Sequence, residues 1–223
     1  LLNTRTVAVT TAAGTSATKN FTILSATDIV GGFSTESNPV NTWSYGYTTS
    51  LGGALTLYDT NVLSGAPAGL EGWRSTALGA DPAVVHNNTG TDFTANNILF
   101  PAGMLHMHPG SGGQFAVVRW TAPAAGVYSI QGQFKGLNPQ PTTTDVHILH
   151  NAATSLFDAN IGNYNVAVPF GQFRTVAAGD TIDFVVGFGT NGNYSFDSTG
   201  LSGFVQLVSP VPVPVLNVIT PAS

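Results

Sequence analysis

The residues able to do chemistry are few. His106 and His108 stand two apart, so on a strand their imidazoles leave the same face. His147 and His150 are three apart and leave opposite faces, and His86 stands alone. Imidazoles gathered from neighbouring strands can ligate Zn2+ or another divalent ion, which makes His106, His108 and His147 the candidate metal set. The competing reading has these rings hydrogen-bonded in loops and on sheet faces.

Acid–base catalysis finds little support. Glu36 and Glu71 are the only glutamates, both in polar, loop-like surroundings, whereas glycoside hydrolysis needs two carboxylates across a cleft. There is no Gly-x-Ser-x-Gly elbow and no His-Glu-x-x-His pair. Gly187-Phe-Gly-Thr-Asn-Gly192 matches a dinucleotide fingerprint, but Asn-Tyr-Ser-Phe-Asp follows it where a helix should start, so it reads as a hairpin loop. The chain is expected to be no enzyme and to carry no cofactor. A structural Ca2+ is conceivable around Asp158 and Asn160, or at Asp197, without a recognisable loop motif. Asp180 reads as a turn cap, while Asp183 resists explanation as plain surface.

Aromatic rings suit sugars, whose apolar C–H faces stack on them. Trp43, Tyr45 and Tyr47 alternate onto one face, and Trp73 lies in a loop-rich region; these four are the candidate carbohydrate residues. The same alternation also describes the inner face of a sandwich, and core packing is the favoured reading for Trp43 and Trp120.

The elements that must position these groups are strands. Helical periodicity is nearly absent, and two-residue alternation of β-branched and aromatic residues recurs between Gly, Pro and Asn. Strands are predicted over 5–12, 19–24, 42–48, 54–58, 114–121, 126–134, 145–150, 164–173, 181–188, 194–196 and 202–208, with long loops over 60–113. Many short strands with tight turns, such as Pro123-Ala-Ala-Gly126, make the fold all-β: a jelly-roll or β-sandwich core.

Composition narrows the function. Charged residues are 8% of the chain, against ~25% in an average protein. Six basic residues and a net charge of −5 supply no cationic cluster for nucleic acid. With no cysteine, thiol chemistry and a disulfide scaffold are excluded, though an extracellular home is not. No run of ~18 apolar residues exists to span a membrane as a helix. Starting at Leu1 without Met, the chain reads as a mature or excised product, expected to be extracellular or on a cell surface.

The middle of the chain, residues 28–208, resembles a secreted bacterial β-sandwich (jelly-roll) module of surface and sorting-signal-bearing proteins. The resemblance is carried by Trp43-Ser-Tyr-Gly46, Pro82-Ala-Val-Val-His-Asn87, Leu105-His-Met-His-Pro-Gly110, Val118-Arg-Trp-Thr-Ala-Pro123 and Gly179-Asp-Thr-Ile-Asp-Phe184. It implies an extracellular module similar to carbohydrate-binding domains, with no activity to carry over. The pair His106 and His108 departs from the single His expected before Pro-Gly.

The ends resemble the IPT/TIG immunoglobulin-like repeat. Residues 1–27 contain a Val-x-Val-Thr-Thr-x-x-Gly-Thr-Ser hairpin followed by Asn-Phe-Thr-Ile, similar to that repeat's closing strands; Val218-Ile-Thr-Pro-Ala-Ser223 is similar to its opening. Within the tail, 209–223, Pro210, Pro212 and Pro214 alternate with Val211, Val213 and Val215. In an extended strand the three missing N–H donors fall on one edge, so the tail can pair on the other edge only. A stiff polyproline-type linker suits the same residues.

Two readings of function result. The first is a structural protein that assembles with copies of itself, head to tail, by strand exchange. Val211, Val213, Val215, Leu216, Val218 and Ile219 would be donated, and Val7, Val9, Phe21 and Ile23 would receive. The alternative is a polysaccharide-binding module of a larger tandem-domain surface protein.

Overall fold

The computed structural model describes residues 3–7, 10–11, 14–15, 19–23 and 26–210. Near the start, β1 (Asn3–Val7) pairs antiparallel with β4 (Lys19–Ile23), and the short β2 (Thr10–Thr11) pairs with β3 (Gly14–Thr15). β1 and β4 make a two-stranded sheet joined to no other described strand.

Fifteen further strands follow in the order of the chain. They are β5 (Ala26–Asp28), β6 (Trp43–Thr48), β7 (Thr56–Leu57), β8 (Leu70–Arg74), β9 (Ala83–Asn87), β10 (Phe93–Ala95), β11 (Ile98–Phe100), β12 (Leu105–His108), β13 (Phe115–Thr121) and β14 (Gly126–Gly136). The last five are β15 (Thr144–His150), β16 (Thr154–Ile161), β17 (Ala167–Val176), β18 (Thr181–Gly187) and β19 (Thr199–Pro210). A single 3-10 turn, Gly189–Asn191, occupies the glycine-rich segment between β18 and β19.

Two antiparallel sheets result. The front sheet runs β17-β14-β19-β12-β9-β8, with β5 also on β19; the back sheet runs β16-β15-β18-β13-β6-β7. From β12 onward the chain passes repeatedly between them, and β12-β19-β14-β17 faces β13-β18-β15-β16. That order of eight strands is a jelly roll, with β8, β9, β6 and β7 widening its two sheets. Trp43, Tyr45, Trp120, Phe134 and Phe184 fill the space between the sheets and are all but inaccessible.

Residues 60–113 differ from expectation. They hold β8, β9 and β12 of the front sheet and the β10–β11 hairpin rather than long loops alone. All four residues of β12 are buried, because loops cover its outer side as the core covers its inner side. Alternation is erased when both faces are covered, so the period that marks a half-exposed strand is missing. Conversely, residues 194–196 alternate like a strand yet form a turn. Asn191 and Asn193 side-chain carbonyls accept the N–H groups of Asn193 and Ser195, replacing ladder bonds by local ones.

Gly132 and Gly203 lie opposite each other on β14 and β19. A Cβ on Gly132 would stand 2.1 Å from the Ser202 carbonyl oxygen, and one on Gly203 2.2 Å from that of Gln131. This close approach, with Gly203 at φ +151, admits only glycine.

β19 continues to Pro210, opposite Gly126. Of the proposed assembly residues, Val7 ends β1, and Phe21 and Ile23 lie in β4. Val9, Val211, Val213, Val215, Leu216, Val218 and Ile219 lie outside the described residues. Among the described residues no helix is long and apolar enough to cross a membrane.

Candidate functional site

The outer side of the front sheet carries two contrasting regions. Over β8, β9 and β12 the segment 63–67, the 80–81 turn and the β10–β11 hairpin border an open pocket of about 210 Å3. Its lining includes Arg74, Asp81, Phe100, His106, Val85 and Pro67. Strand alternation explains the set: Leu105, Met107 and Val84 enter the core, so His106 and Val85 turn outward beneath the covering loops. A second depression, of about 340 Å3, includes Thr60, Val62 and Thr76. Arg74 and Ala80 line both, so the two adjoin.

The cavity's polar groups are unevenly satisfied. Both ring nitrogens of His106 are buried and without a hydrogen-bond partner, an arrangement that costs ~1–3 kcal/mol for each group left unmade. Burial pushes this imidazole down to about 3, and the neighbouring His108 adds to the shift. The two rings stack with centroids 6.2 Å apart, and Phe100 lies 5.1 Å from His106. His108 Nδ1 donates to the Pro109 carbonyl at 2.9 Å and stands 3.5 Å from Asp81 Oδ1. Burial raises the Asp81 carboxyl, opposed by His108 and Arg74.

The other half of this face, over β17, β14 and β19, is open. Ile130, Phe134, Leu201, Val205 and Phe170 point into the core, which turns Gln131, Gln133, Ser202, Phe204 and Phe173 away from it. Cross-strand registers set Gly171, Gln131 and Phe204 in one row, and Pro169, Gln133 and Ser202 in the next. Phe173 is 69% exposed, and a side chain at Gly171 would meet nothing within 4 Å. The result is a lane of amides and hydroxyls edged by a protruding aromatic ring, with Lys135 on the same face in the following row.

On the back sheet His147 is held between two carboxylates, Nε2 to Asp145 Oδ2 at 2.8 Å and Nδ1 to Asp158 Oδ1 at 2.5 Å. Burial opposes its protonation, yet the hydrogen bonds and charges of Asp145 and Asp158 raise its pKa above the ordinary value. A ring whose two nitrogens both donate has no lone pair for a metal. The candidate set His106, His108 and His147 is thus divided between opposite outer faces, and no group of three or more His, Cys, Asp or Glu side chains could hold a metal ion among the described residues. His150 serves a third purpose. Its Nε2 meets Asp180 at 3.0 Å and its Nδ1 accepts from Arg174, at 3.2 Å from Nε and 3.0 Å from Nη2, linking β15 to β17 at the sandwich edge.

The aromatic candidates are mostly core. Trp43 is 1% exposed, Tyr45 0% and Trp73 7%, so none offers a ring face to a ligand, and of the two readings, platform or inner face, all three rings belong to the core. Tyr47 is half-buried, 5.9 Å from Tyr58. For calcium, Asp158 is committed to His147 and Ser155. Asp197 is fully buried; one oxygen accepts from Thr142 and Thr144, and the other has no partner. One carboxylate and two hydroxyls fall short of the ~6–8 oxygens that Ca2+ takes, so these side chains alone do not build its cage. Reading by sequence missed Arg74, Asp81 and Phe100, which stand in a stretch without periodicity, and missed the Gln131–Gln133 lane, whose alternation was read only as a strand signal.

No protein-family model and no curated protein matches the chain. Among solved structures it is similar to a chain of Clostridium perfringens ZmpB carrying CBM51-2, in complex with GlcNAc, and INT domains. That overlap has a TM-score of 0.44 and 11% identity, over 93% of this chain and 37% of that one. It is also similar to a family 35 carbohydrate binding module from an environmental isolate, with a TM-score of 0.28 and 14% identity over 46% of this chain and 73% of that one. For the native family 35 module from Clostridium thermocellum the TM-score is 0.30 and the identity 10%, over 63% and 88%. The chain thus spans little more than a third of the length of the first. Overlaps this partial say nothing about ligand, and the jelly-roll assignment stands on the strand order.

Proposed function

We propose that this chain is a non-catalytic, extracellular module that binds a neutral polysaccharide along the open half of its front sheet. The observation that carries the reading is the lane formed by Gln131, Gln133 and Ser202 beside Phe173. Amide and hydroxyl groups match the mixed donors and acceptors of sugar hydroxyls. An exposed ring supplies an apolar face on which the C–H side of a sugar ring can stack. The low charge of the chain is consistent with a neutral ligand. Affinity electrophoresis through gels containing neutral glucans, xylans and mannans tests it. Retardation is expected for the wild type in at least one gel, with Phe173→Ser and Gln131→Ala migrating freely. Free migration of the wild type in every gel ends the reading.

A second reading, head-to-tail assembly, is favoured by one observation. β1 and β4 form a sheet of two strands, and such a hairpin is marginal in water unless a further strand or layer covers it. The tail 211–223 of a neighbouring copy would supply that strand. Sedimentation at high concentration should show oligomers for the intact chain and monomers after deletion of 211–223; a monodisperse intact monomer removes this reading.

A further inference from the structure

We infer that the open lane takes an extended, ribbon-like β-1,4-linked chain that crosses the strands obliquely, with Phe173 and Phe204 stacking on two sugar units separated by one. The inference rests on the polysaccharide reading for its class of ligand, and adds the linkage and the direction of the chain. Ladder registers set Phe173, Ser129 and Gln206 in one row of β17, β14 and β19, and Gly171, Gln131 and Phe204 in the next. The two phenylalanines therefore stand at opposite corners of the lane, two strands and two residues apart. With strands ~4.8 Å apart and a rise of ~3.3 Å per residue, their Cα atoms are separated by about 12 Å.

Both rings are uncommitted. Phe170 and Val205 turn into the core from the same two strands, and neither Phe173 nor Phe204 joins the core cluster. Phe173 is 69% exposed and Phe204 half-buried. Neither makes a ring contact among the described residues. Between them stands Gln131, whose Nε2 donates to Ser129 Oγ at 2.8 Å. That bond holds the amide in place and leaves Oε1 to accept from a sugar hydroxyl. Gly171, beside Gln131, carries no side chain, so the floor on the β17 side is clear.

The spacing selects the shape of the ligand. In a chain of β-1,4-linked pyranoses successive units turn over about the chain axis, so every second unit shows the same face to a flat surface. Two such units lie about as far apart as the two phenylalanines. Both rings then meet equivalent C–H faces, while the unit between them addresses Gln131. A β-1,3- or α-1,4-linked chain coils instead, which carries the second face away from the sheet.

The test is calorimetric titration of the full chain with β-1,4-linked hexasaccharides (cello-, xylo- and manno-), with laminarihexaose and with maltohexaose, then with shorter members of the preferred series. Folding of each variant is checked by its thermal melt. A β-1,4-linked hexasaccharide is expected to bind best. Affinity should rise about tenfold between two units and three, the shortest chain that reaches both rings. Phe204→Ser should lose about tenfold on the hexasaccharide and erase that step. Preference for laminarihexaose or maltohexaose overturns the ribbon assignment. Unchanged affinity in Phe204→Ser, with Phe173→Ser still abolishing binding, overturns the oblique two-ring path and leaves the polysaccharide reading standing. Absence of binding to every hexasaccharide and to every polysaccharide gel overturns both together.

Discussion

Arg119 on β13 clamps Asp183 on β18 through two parallel hydrogen bonds, Nε to Oδ1 at 2.6 Å and Nη2 to Oδ2 at 2.8 Å. The two residues are directly opposite in the ladder, and Asp183 is 2% exposed. A planar guanidinium fork is the side chain that can meet both carboxylate oxygens at once. Asp183, which resists explanation as surface, is thereby accounted for without any catalytic role. Arg119→Met should destabilise the fold by about 3 kcal/mol, the low end of the range for stranding a buried charge, because Arg119 itself is partly exposed. Arg119→Met with Asp183→Leu should recover most of that loss. Urea unfolding measures both, and a double variant no more stable than the single one would show that the clamp is not the cause.

His106 and His147 should bend the pH profile of stability in opposite senses. His106 has a folded value of about 3, below the ordinary ~6.5, so between these limits the unfolded chain binds the proton and the folded chain does not. Stability contributed there is present above pH ~6.5 and falls as pH drops toward 3. His147 is raised, so its contribution is complete below pH ~6.5 and fades as pH climbs through the raised value. Urea midpoints between pH 4 and 9 should show a flatter acid limb for His106→Phe. His147→Gln should lie below wild type in acid and converge with it in base.

Trp73 separates core from ligand surface. Its indole N–H donates to the Ser34 carbonyl at 2.8 Å and so ties β8 to the segment that follows β5. Trp73→Phe should cost ~1 kcal/mol for the lost hydrogen bond. Its polysaccharide retardation should match that of wild type. A large loss of retardation with unchanged stability would return Trp73 to the binding surface.

The paired glycines test the close approach of β14 and β19 beneath the open lane. Gly203→Val forces a side chain against the Gln131 carbonyl and requires a backbone angle that L residues avoid. The expected loss is ~1–3 kcal/mol or more from strain alone. Thermal melting of Gly203→Val beside Gly171→Val reads it out, since the second site is open and should tolerate the change. Equal melting temperatures would contradict the close approach of β14 and β19.

Much of this architecture could be read from residue order. Alternating β-branched and aromatic residues between turn signals located β6, β13, β14, β15, β18 and β19, even though β6 and β18 are buried along nearly their whole length. The all-β class and the absence of a helix after Gly192 were legible for the same reason: local patterning reports local conformation. Alternation tells which residues share a face, but it is silent on which face is covered. Trp43, Tyr45 and Tyr47 share a face that could be platform or core, with core favoured for Trp43, and the packing of β6 against the opposite sheet places Trp43 and Tyr45 inside. His106 joins Arg74 and Asp81 because the segments 63–67 and 80–81, far earlier in the chain, lie beside β12, a relation with no period to announce it. The proposed lane needed β14, β17 and β19 side by side, and that neighbourhood exists only once the jelly roll has closed.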